Sequence, residues 1–247
     1  MSNTNAPAPR PAERTLDAHI KLYYDLRQPV AVATPAPLLI ALHGYGSSKE
    51  WMMREARHFI PEDFALVALQ GFHQHMKEPR EPGGALRYGF GWLTNFHPED
   101  SVALHHHALR SLVETLTREG VADPARIFLL GFSQSCALNF RFAFTHPEVL
   151  RGVVGICGGI PGDWDTSALY RQTSASVLYL HGTRDEFYTP ARVSDFAARL
   201  SLRARDVQSK NYDAAHEFVP AMRPDIKEWL RAQASLKSEV RSPESEV

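Results

Sequence analysis

The stretch Arg126-Ile-Phe-Leu-Leu-Gly-Phe-Ser-Gln-Ser135 decides the fold of this 247-residue chain. An apolar run ends in a glycine, and a serine follows just before residues that suit a helix. This order is typical of a nucleophile elbow, a sharp turn from a buried strand into a helix that exposes the serine hydroxyl. Gly131 fits the turn because neighbouring backbone passes close to its apex. The sequence therefore predicts Ser133 as a nucleophile at the end of a strand.

Ser135 departs from the usual form of the elbow, G-x-S-x-G, because it occupies the place of the last glycine. It adds a Cβ and a hydroxyl where strand and helix approach closely. Serine is small and its hydroxyl bonds to nearby backbone, so we expect a tolerated change whose cost is a shifted turn or a lower rate. A large rise in turnover in Ser135→Gly would mean that this serine strains the turn.

Length and composition favour a single α/β domain over 15–235, between flexible tails at 1–14 and 236–247. The net charge of −1, from 27 basic and 28 acidic residues, argues against nucleic acid or an anionic membrane as partner. No apolar run reaches the roughly 18 residues of a membrane span. The N-terminal segment lacks the apolar core of a secretory signal, and two cysteines form no disulfide framework, so we expect a cytoplasmic protein.

Short apolar runs alternate with helical patterns, which is typical of a largely parallel sheet covered by helices on both faces. Compact apolar runs, and a weaker last one, predict strands at Leu38–Leu42, Phe64–Leu69, Ile127–Gly131, Gly152–Cys157, Val177–Leu180 and Val207–Tyr212. The alternating run His19–Leu26 predicts an outer antiparallel strand. Helices are predicted at Asp100–Arg118, Gln134–Thr145, Pro190–Leu200 and Pro224–Ala232. The segment Gly71–Pro98 fits no element cleanly, and loops of this length are usually functional or mobile.

A serine hydroxyl becomes a good nucleophile when a histidine, held by a carboxylate, takes its proton. Where an elbow carries the serine, the chain order is serine, acid, histidine. His146, His181 and His216 follow Ser133, and only His216 comes after a strand-end acid with room for a helix in between. The order therefore predicts His216 as the base.

The acid is expected just beyond a strand that follows the nucleophile. Asp185 meets this condition, because it follows the run Val177–Leu180 at the edge where parallel sheets bind ligands. Its alternative role is to cap the helix near Pro190. Asp163, after an earlier strand, is the rival acid, and Glu186 is adjacent to Asp185 but would point elsewhere.

A developing oxyanion needs hydrogen-bond donors, which often supply the largest catalytic effect. The backbone N–H of Gln134, at a helix start, is one expected donor. The loop His43-Gly-Tyr-Gly46 follows an inner strand, and its glycines let the backbone turn amides toward the cleft. We expect the second donor to be the Tyr45 amide, with the Gly46 amide as the alternative.

Other conspicuous residues favour no metal site. Consecutive residues of a helix point about a hundred degrees apart, so the run His105–His107 cannot converge on one ion. His73 and His75 lack acidic or cysteine partners at ligand spacing. Among the aromatic residues of Gly71–Pro98, Trp92 and Phe90 are candidates to line a substrate pocket. The alternative for these rings is a small core that pins the loop.

Together these motifs resemble the phospholipase/carboxylesterase branch of the α/β-hydrolases, which includes acyl-protein thioesterase-like enzymes. The matching pieces are Leu42–Gly46, Gly131–Gln134, Cys157–Gly159, His181–Asp185 and Ala215–His216. The resemblance implies an α/β-hydrolase fold with little or no cap domain, no cofactor, and often a homodimer. It carries over Ser133 as nucleophile, Asp185 as acid, His216 as base, and the Tyr45 and Gln134 amides as oxyanion donors.

These observations predict a carboxylesterase that cleaves small acyl esters through an acyl-enzyme on Ser133. A thioesterase or lysophospholipase would use the same residues. A non-catalytic binding protein of the same fold is disfavoured because candidates for nucleophile, acid and base follow one another in the expected order.

Overall fold

The computed structural model describes residues 12–29, 35–79 and 81–236. Most of the two expected tails, 1–11 and 237–247, lies outside the described residues. The strands are β1 (Tyr24–Arg27), β2 (Ala36–Leu42), β3 (Ala65–Leu69), β4 (His73–Lys77), β5 (Arg87–Gly91), β6 (Ala122–Phe132), β7 (Gly152–Ile156), β8 (Ser176–Gly182) and β9 (Asp206–Tyr212). The helices are α1 (Lys49–Ala56), α2 (Pro98–Arg118), α3 (Gln134–Thr145), α4 (Pro190–Val193), α5 (Phe196–Ser201) and α6 (Arg223–Ser235), with a 3-10 turn at Pro220–Met222. No helix in these described ranges is long and apolar enough to cross a membrane.

Seven strands form the central sheet in the order β1-β3-β2-β6-β7-β8-β9. Every neighbouring pair is parallel except β1 and β3, which are antiparallel. The predicted parallel sheet with an antiparallel outer strand is therefore confirmed. Because the inner strands are parallel, the loops that follow them meet at one edge of the sheet.

Both faces of the sheet are buried, which explains the continuous apolar runs within its inner strands. Along β2, Leu38 and Ile40 pack into the core under α2, α3 and α5. Leu39 points the other way, into the core under α1 and α6. Strands that are covered on both sides cannot move easily, so the loops at their ends are anchored on a rigid base.

The first strand is shorter than predicted. Only Tyr24–Arg27 pairs, with Leu66–Leu69 of β3, and one further bond joins the Gln70 N–H to the Tyr23 carbonyl at 2.9 Å. The partner strand ends there, so the preceding residues have no backbone to pair with. The prediction of a strand from His19 was therefore wrong in its first half.

The predicted helix Pro190–Leu200 is divided into α4 and α5. The Ser194 hydroxyl donates to the Ala191 carbonyl at 2.9 Å at the junction. Serine side chains compete for backbone bonds in this way and favour helix ends. Asp195 follows at the position before α5, where its side chain makes no capping bond.

The segment Gly71–Pro98 contains a β-hairpin, β4–β5, that the sequence analysis did not identify. Its strands alternate poorly in polarity, and β5 contains two glycines. Gly89 is required by packing, because a Cβ there would lie 2.7 Å from Lys77 Cδ and 2.8 Å from His75 Nε2. The hairpin lies against the loop that follows β2, because the Gly46 N–H donates to the Phe90 carbonyl and the Phe90 N–H donates to the Ser47 carbonyl.

Candidate active site

Ser133 lies at the apex of the turn between β6 and α3, as the elbow motif predicts. Its backbone has φ 57° and ψ −115°, a conformation that non-glycine residues rarely adopt. The Ser133 N–H donates to the Ile156 carbonyl at 2.9 Å, which ties the apex to β7. A Cβ at Gly131 would lie 2.7 Å from Asn139 Nδ2, so the turn needs glycine there.

His216 connects the serine to an acid. Its Nε2 lies 2.8 Å from Ser133 Oγ, and its Nδ1 lies 2.9 Å from Asp185 Oδ2. The three residues come from loops after β6, β8 and β9, which end at the same edge of the sheet. This geometry suits transfer of a proton from the hydroxyl to the imidazole.

Asp185 uses its two carboxylate oxygens differently. Oδ1 accepts the backbone N–H groups of Phe187 and Tyr188 at 2.9 and 2.8 Å, and Oδ2 faces His216. Burial opposes ionisation, but these bonds from Tyr188, His216 and Phe187 outweigh it and lower the pKa of Asp185 below its ordinary value. The residue therefore orders its own turn and stays ionised beside the imidazole.

The loops that carry the acid and the base are joined directly. The Thr183 N–H donates to the Tyr212 carbonyl at 2.8 Å, and the Arg184 N–H donates to the Ala214 carbonyl at 2.9 Å. Arg184 Nε also lies 2.6 Å from the Asp213 carboxylate, although this pair is exposed. Because backbone bonds join them, Asp185 and His216 keep a fixed distance without depending on side-chain contacts alone.

Three aromatic rings surround the imidazole of His216. The ring centres of Phe187, Phe132 and Tyr188 lie 4.9, 5.3 and 5.9 Å from the imidazole centre. The rings limit how far the imidazole can rotate, and they exclude water from most of its surface. The His216 side chain is accordingly only 15% exposed.

The rival acid and the other histidines lie elsewhere. Asp163 is paired with Arg141 and with the Tyr170 hydroxyl, and these partners, against the effect of burial, lower its pKa. Glu186 only accepts the His216 backbone N–H, at 3.4 Å. His181 is buried within β8, and His146 packs against Phe142 at the end of α3.

In the loop after β2, the Tyr45 amide and the Gly46 amide differ in their hydrogen bonding. The Gly46 N–H donates to the Phe90 carbonyl at 2.8 Å, so it is not free to bind an oxyanion. Within the described residues, neither the Tyr45 nor the Gln134 N–H donates a hydrogen bond to the protein. The geometry thus favours Tyr45 over Gly46 as the donor from this loop.

His43 holds the peptide group that carries the Tyr45 N–H, a role that the sequence analysis did not assign. The Gly71 N–H donates to His43 Nε2 at 3.0 Å, so the ring proton lies on Nδ1. Nδ1 then donates to the Gly44 carbonyl at 2.8 Å, which belongs to the same peptide group as the Tyr45 N–H. Burial lowers the pKa of His43 to about 4, so the ring stays neutral.

Trp92 and Gln134 brace the site from the other side. Gln134 Oε1 accepts the Trp92 backbone N–H at 2.8 Å, and its Nε2 donates to the Leu93 carbonyl at 3.1 Å. The Trp92 ring is fully buried, packs against Phe72, and donates from Nε1 to the His43 carbonyl at 2.8 Å. These contacts match the alternative interpretation, a core that pins the loop. Phe90 is half-buried, and its place in a substrate pocket stays a prediction.

The remaining histidines and cysteines do not gather into a cluster. His105 is bonded to Asn139, His106 packs against Phe142 and His146, and His107 is exposed. Over 12–29, 35–79 and 81–236, no three His, Cys, Asp or Glu residues are placed to hold a metal ion.

Both cysteines are free thiols and fully buried. Burial raises the pKa of Cys136 far above its ordinary value. Burial and the nearby Asp185 charge raise the pKa of Cys157 to about 12. Neither sulfur is therefore a competing nucleophile.

Comparison with known proteins places the fold and the family. Residues 31–234 match the family described as Phospholipase/Carboxylesterase. NocK of Nocardia uniformis subsp. tsuyamanensis, a protein provisionally named an esterase, is 30% identical over 163 residues. That match covers 64% of this chain and 43% of NocK, so the chain spans less than half the length of this relative.

Solved structures of similar fold include two carboxylesterases. The Bacillus cereus carboxylesterase has a TM-score of 0.67 at 16% identity, over 86% of this chain and 94% of that one. The carboxylesterase from Mesorhizobium loti has a TM-score of 0.66 at 22% identity, over 85% of this chain and 94% of that one. At these identities the likeness establishes the α/β-hydrolase fold, which confirms the expected architecture. Since the family match extends over most of the chain and the fold agrees with it, this protein belongs to the phospholipase/carboxylesterase family.

Proposed function

We propose that this protein is a serine hydrolase that cleaves carboxylic esters through an acyl-enzyme on Ser133. One observation carries the proposal: His216 bridges Ser133 Oγ and Asp185 with bonds of 2.8 and 2.9 Å. Membership of the phospholipase/carboxylesterase family supports an ester as substrate.

In the first half of the reaction, Ser133 Oγ attacks the carbonyl carbon while its proton passes to His216 Nε2. The carbonyl π-electron pair moves to the oxygen, which becomes an oxyanion. When this pair returns, the bond to the leaving alcohol breaks and the alcohol takes the proton from Nε2. Asp185, ionised throughout, stabilises the transient imidazolium and keeps its Nδ1 proton in place.

In the second half, a water molecule takes the place of the alcohol. His216 accepts a proton from the water, whose oxygen attacks the acyl carbon. The tetrahedral adduct then collapses, the acyl–Oγ bond breaks, and Nε2 returns its proton to Ser133. The products are a carboxylic acid and the original enzyme. The free amides of Tyr45 and Gln134 would donate to the oxyanion in both halves.

A fluorophosphonate probe and a series of p-nitrophenyl esters, from acetate to palmitate, test the proposal. We expect the probe to label native protein at Ser133, and at least one ester to be hydrolysed. Ser133→Ala should lose both reactions while it keeps the native circular dichroism spectrum. If native protein neither reacts with the probe nor turns over esters or acyl thioesters, the chain is a binding protein and the proposal fails.

A further inference from the structure

We infer that the Ser135 hydroxyl is a positioning group that fixes the two halves of the oxyanion hole relative to each other. This inference rests on the proposed function, because it concerns the donors that the reaction needs. It gives a role to the residue that departs from the usual glycine of the elbow.

Ser135 is the second residue of α3, and its side chain is fully buried. Its Oγ accepts the Phe132 backbone N–H at 3.0 Å and lies 3.1 Å from both the Leu42 and the Phe132 carbonyl oxygens. A hydroxyl has one proton, and the Leu42 carbonyl is the acceptor outside its own turn. The hydroxyl thus links the end of β6 to the end of β2.

The two linked backbones are those that carry the proposed donors. Leu42 is the last residue of β2, and the chain runs from it through the buried His43 to Tyr45. Phe132 is the last residue of β6, and Gln134 follows two residues later. Ser135 Oγ therefore lies between the end of β2, which precedes the Tyr45 donor, and the end of β6, which precedes the Gln134 donor.

Removal of the Ser135 hydroxyl would change the backbone at both strand ends in one of two ways, and either change would affect the oxyanion donors. The Phe132 N–H and the Leu42 carbonyl either lose their shared partner or move toward each other to replace it. A displacement of the donor N–H groups by about 1 Å is enough to weaken a preorganised oxyanion hole. Donor positions matter more in the transition state than in the bound ester, so the loss should appear in kcat.

The bonds also separate this role from simple strain. A serine that was merely tolerated would leave its hydroxyl unpaired or bonded only within its own turn. Ser135 Oγ bonds within its turn, to Phe132, but it also reaches the Leu42 carbonyl, 93 residues away in sequence. We therefore expect the hydroxyl, and not the Cβ, to determine the effect of substitution.

The test compares Ser135→Ala and Ser135→Gly with native enzyme on the best p-nitrophenyl ester. We expect kcat to fall about tenfold in both variants, with KM changed less than about twofold. A trifluoromethyl ketone forms a hemiketal with Ser133 that carries an oxyanion. The affinity for this inhibitor should fall by the same factor as kcat. Fluorophosphonate should still label Ser133 in both variants.

Thr173→Val is the matched control. Thr173 is also buried, and its hydroxyl likewise donates to a backbone carbonyl, of Pro147, and accepts a backbone N–H, of Ala175. It precedes β8, at the opposite edge of the sheet. We expect this variant to lose thermal stability while kcat and inhibitor affinity remain those of the native enzyme.

The results distinguish the possible failures. If Ser135→Ala keeps native kcat and inhibitor affinity, or if Thr173→Val loses both to the same extent, the hydroxyl is structural only and the inference is wrong. If Ser135→Gly is faster than native enzyme while Ser135→Ala is slower, the Cβ strains the turn, which also overturns it. Failure of the proposed function looks different, because native protein itself would then be inactive and unlabelled.

Discussion

Asp185 is the single residue on which the proposed catalytic geometry depends most, because one carboxylate does two tasks. Oδ1 closes the turn at Phe187 and Tyr188, and Oδ2 orients the imidazole. The sequence offered capping of the helix near Pro190 as its alternative role, but Thr189 caps that helix, α4, by accepting the Arg192 N–H. Asp185 instead closes the turn before α4 with one oxygen, and this directs the other oxygen toward His216.

Asp185→Asn should therefore lower kcat by about three to four orders of magnitude and leave the fold intact. An amide oxygen can still close the turn, but an amide NH2 facing Nδ1 would favour the wrong tautomer of His216. Ester hydrolysis, with urea unfolding as a check on the fold, measures the effect. Asp163→Asn is the control and should stay within about threefold of native kcat, since its partners are Arg141 and Tyr170. Equal losses in the two variants would contradict the assignment of Asp185 as the acid.

His43→Leu should lower both kcat and stability. The variant leaves the Gly71 N–H and the Gly44 carbonyl without their partner, and each buried unpaired group costs about 1–3 kcal/mol. Because Gly44 shares its peptide group with the Tyr45 N–H, we expect kcat to fall on the order of tenfold. Urea midpoints and steady-state kinetics check the two effects. A stability loss with unchanged kcat would show that the ring supports the fold but not the donor.

The sequence predicts Ser133, Asp185 and His216, which the structure brings together, because chain order removes most of the competing residues. It did not reach the role of His43. That role depends on which ring nitrogen carries the proton, and the Gly71 N–H that decides this lies 28 residues away in sequence. The residues of the motif His43–Gly46 alone do not indicate that the Gly71 N–H is the partner of His43.

At the scale of elements, the hairpin β4–β5 serves as a brace for the loop after β2. Besides the backbone bonds that join Phe90 to Gly46 and Ser47, the Lys77 ammonium donates to the Gly46 carbonyl at 2.9 Å. The Tyr45 ring stacks on His75, with ring centres 4.6 Å apart and planes at 7°. The hairpin thus covers the loop that carries the proposed donor.

Gly89→Ala tests the brace. The added Cβ would lie 2.9 Å from the backbone Cα of Gly46 in the loop, so the hairpin must move away from the loop. We expect kcat to fall about tenfold or more, because the loop loses support on one side. Gly162→Ala is the control, since a Cβ there has no atom within 4 Å among the described residues. Native kinetics in Gly89→Ala would mean that the hairpin does not position the loop.

The inner strands were predictable and the hairpin was not, for a physical reason. Strands buried on both faces are continuous apolar runs, and apart from β6, which begins five residues earlier, their ends agree with prediction to within two residues. The hairpin is set by contacts with a distant loop, which require glycine at 89 and obscure the strand pattern. The apolar pattern does not predict helix α1 either, although Ser48 caps its start by accepting the Trp51 N–H.

For the whole molecule, buried histidines link folding to pH. Burial lowers the pKa of His43 and His106 to about 4 and that of His105 to about 3, from 6.5 in the unfolded chain. The unfolded chain therefore binds more protons than the native state below pH 6.5. The stability from the neutral rings is complete above that pH and is lost as the pH falls toward 4.

We expect the free energy of unfolding to fall between pH 7 and pH 5 by roughly 2 kcal/mol for each deeply buried histidine. Urea titrations at the two pH values measure the difference. His105→Gln should remove about one histidine's share of it, because the amide does not titrate. The exposed neighbour His107→Gln, in the same helix, should leave the difference as it is in the native protein. If His105→Gln shows the same loss of unfolding free energy between pH 7 and pH 5 as native protein, burial of His105 does not cause the pH dependence.

Because both thiols are buried, the folded protein should react very slowly with sulfhydryl reagents. A thiolate is the species that attacks the disulfide of Ellman's reagent, and neither Cys136 nor Cys157 forms one readily or meets solvent. The yellow product should therefore appear only when a thioester substrate releases its thiol or when the chain unfolds. The absorbance of this product would then report thioester cleavage with almost no signal from the protein itself. Without substrate, the same absorbance would report the rate at which unfolding exposes the two thiols.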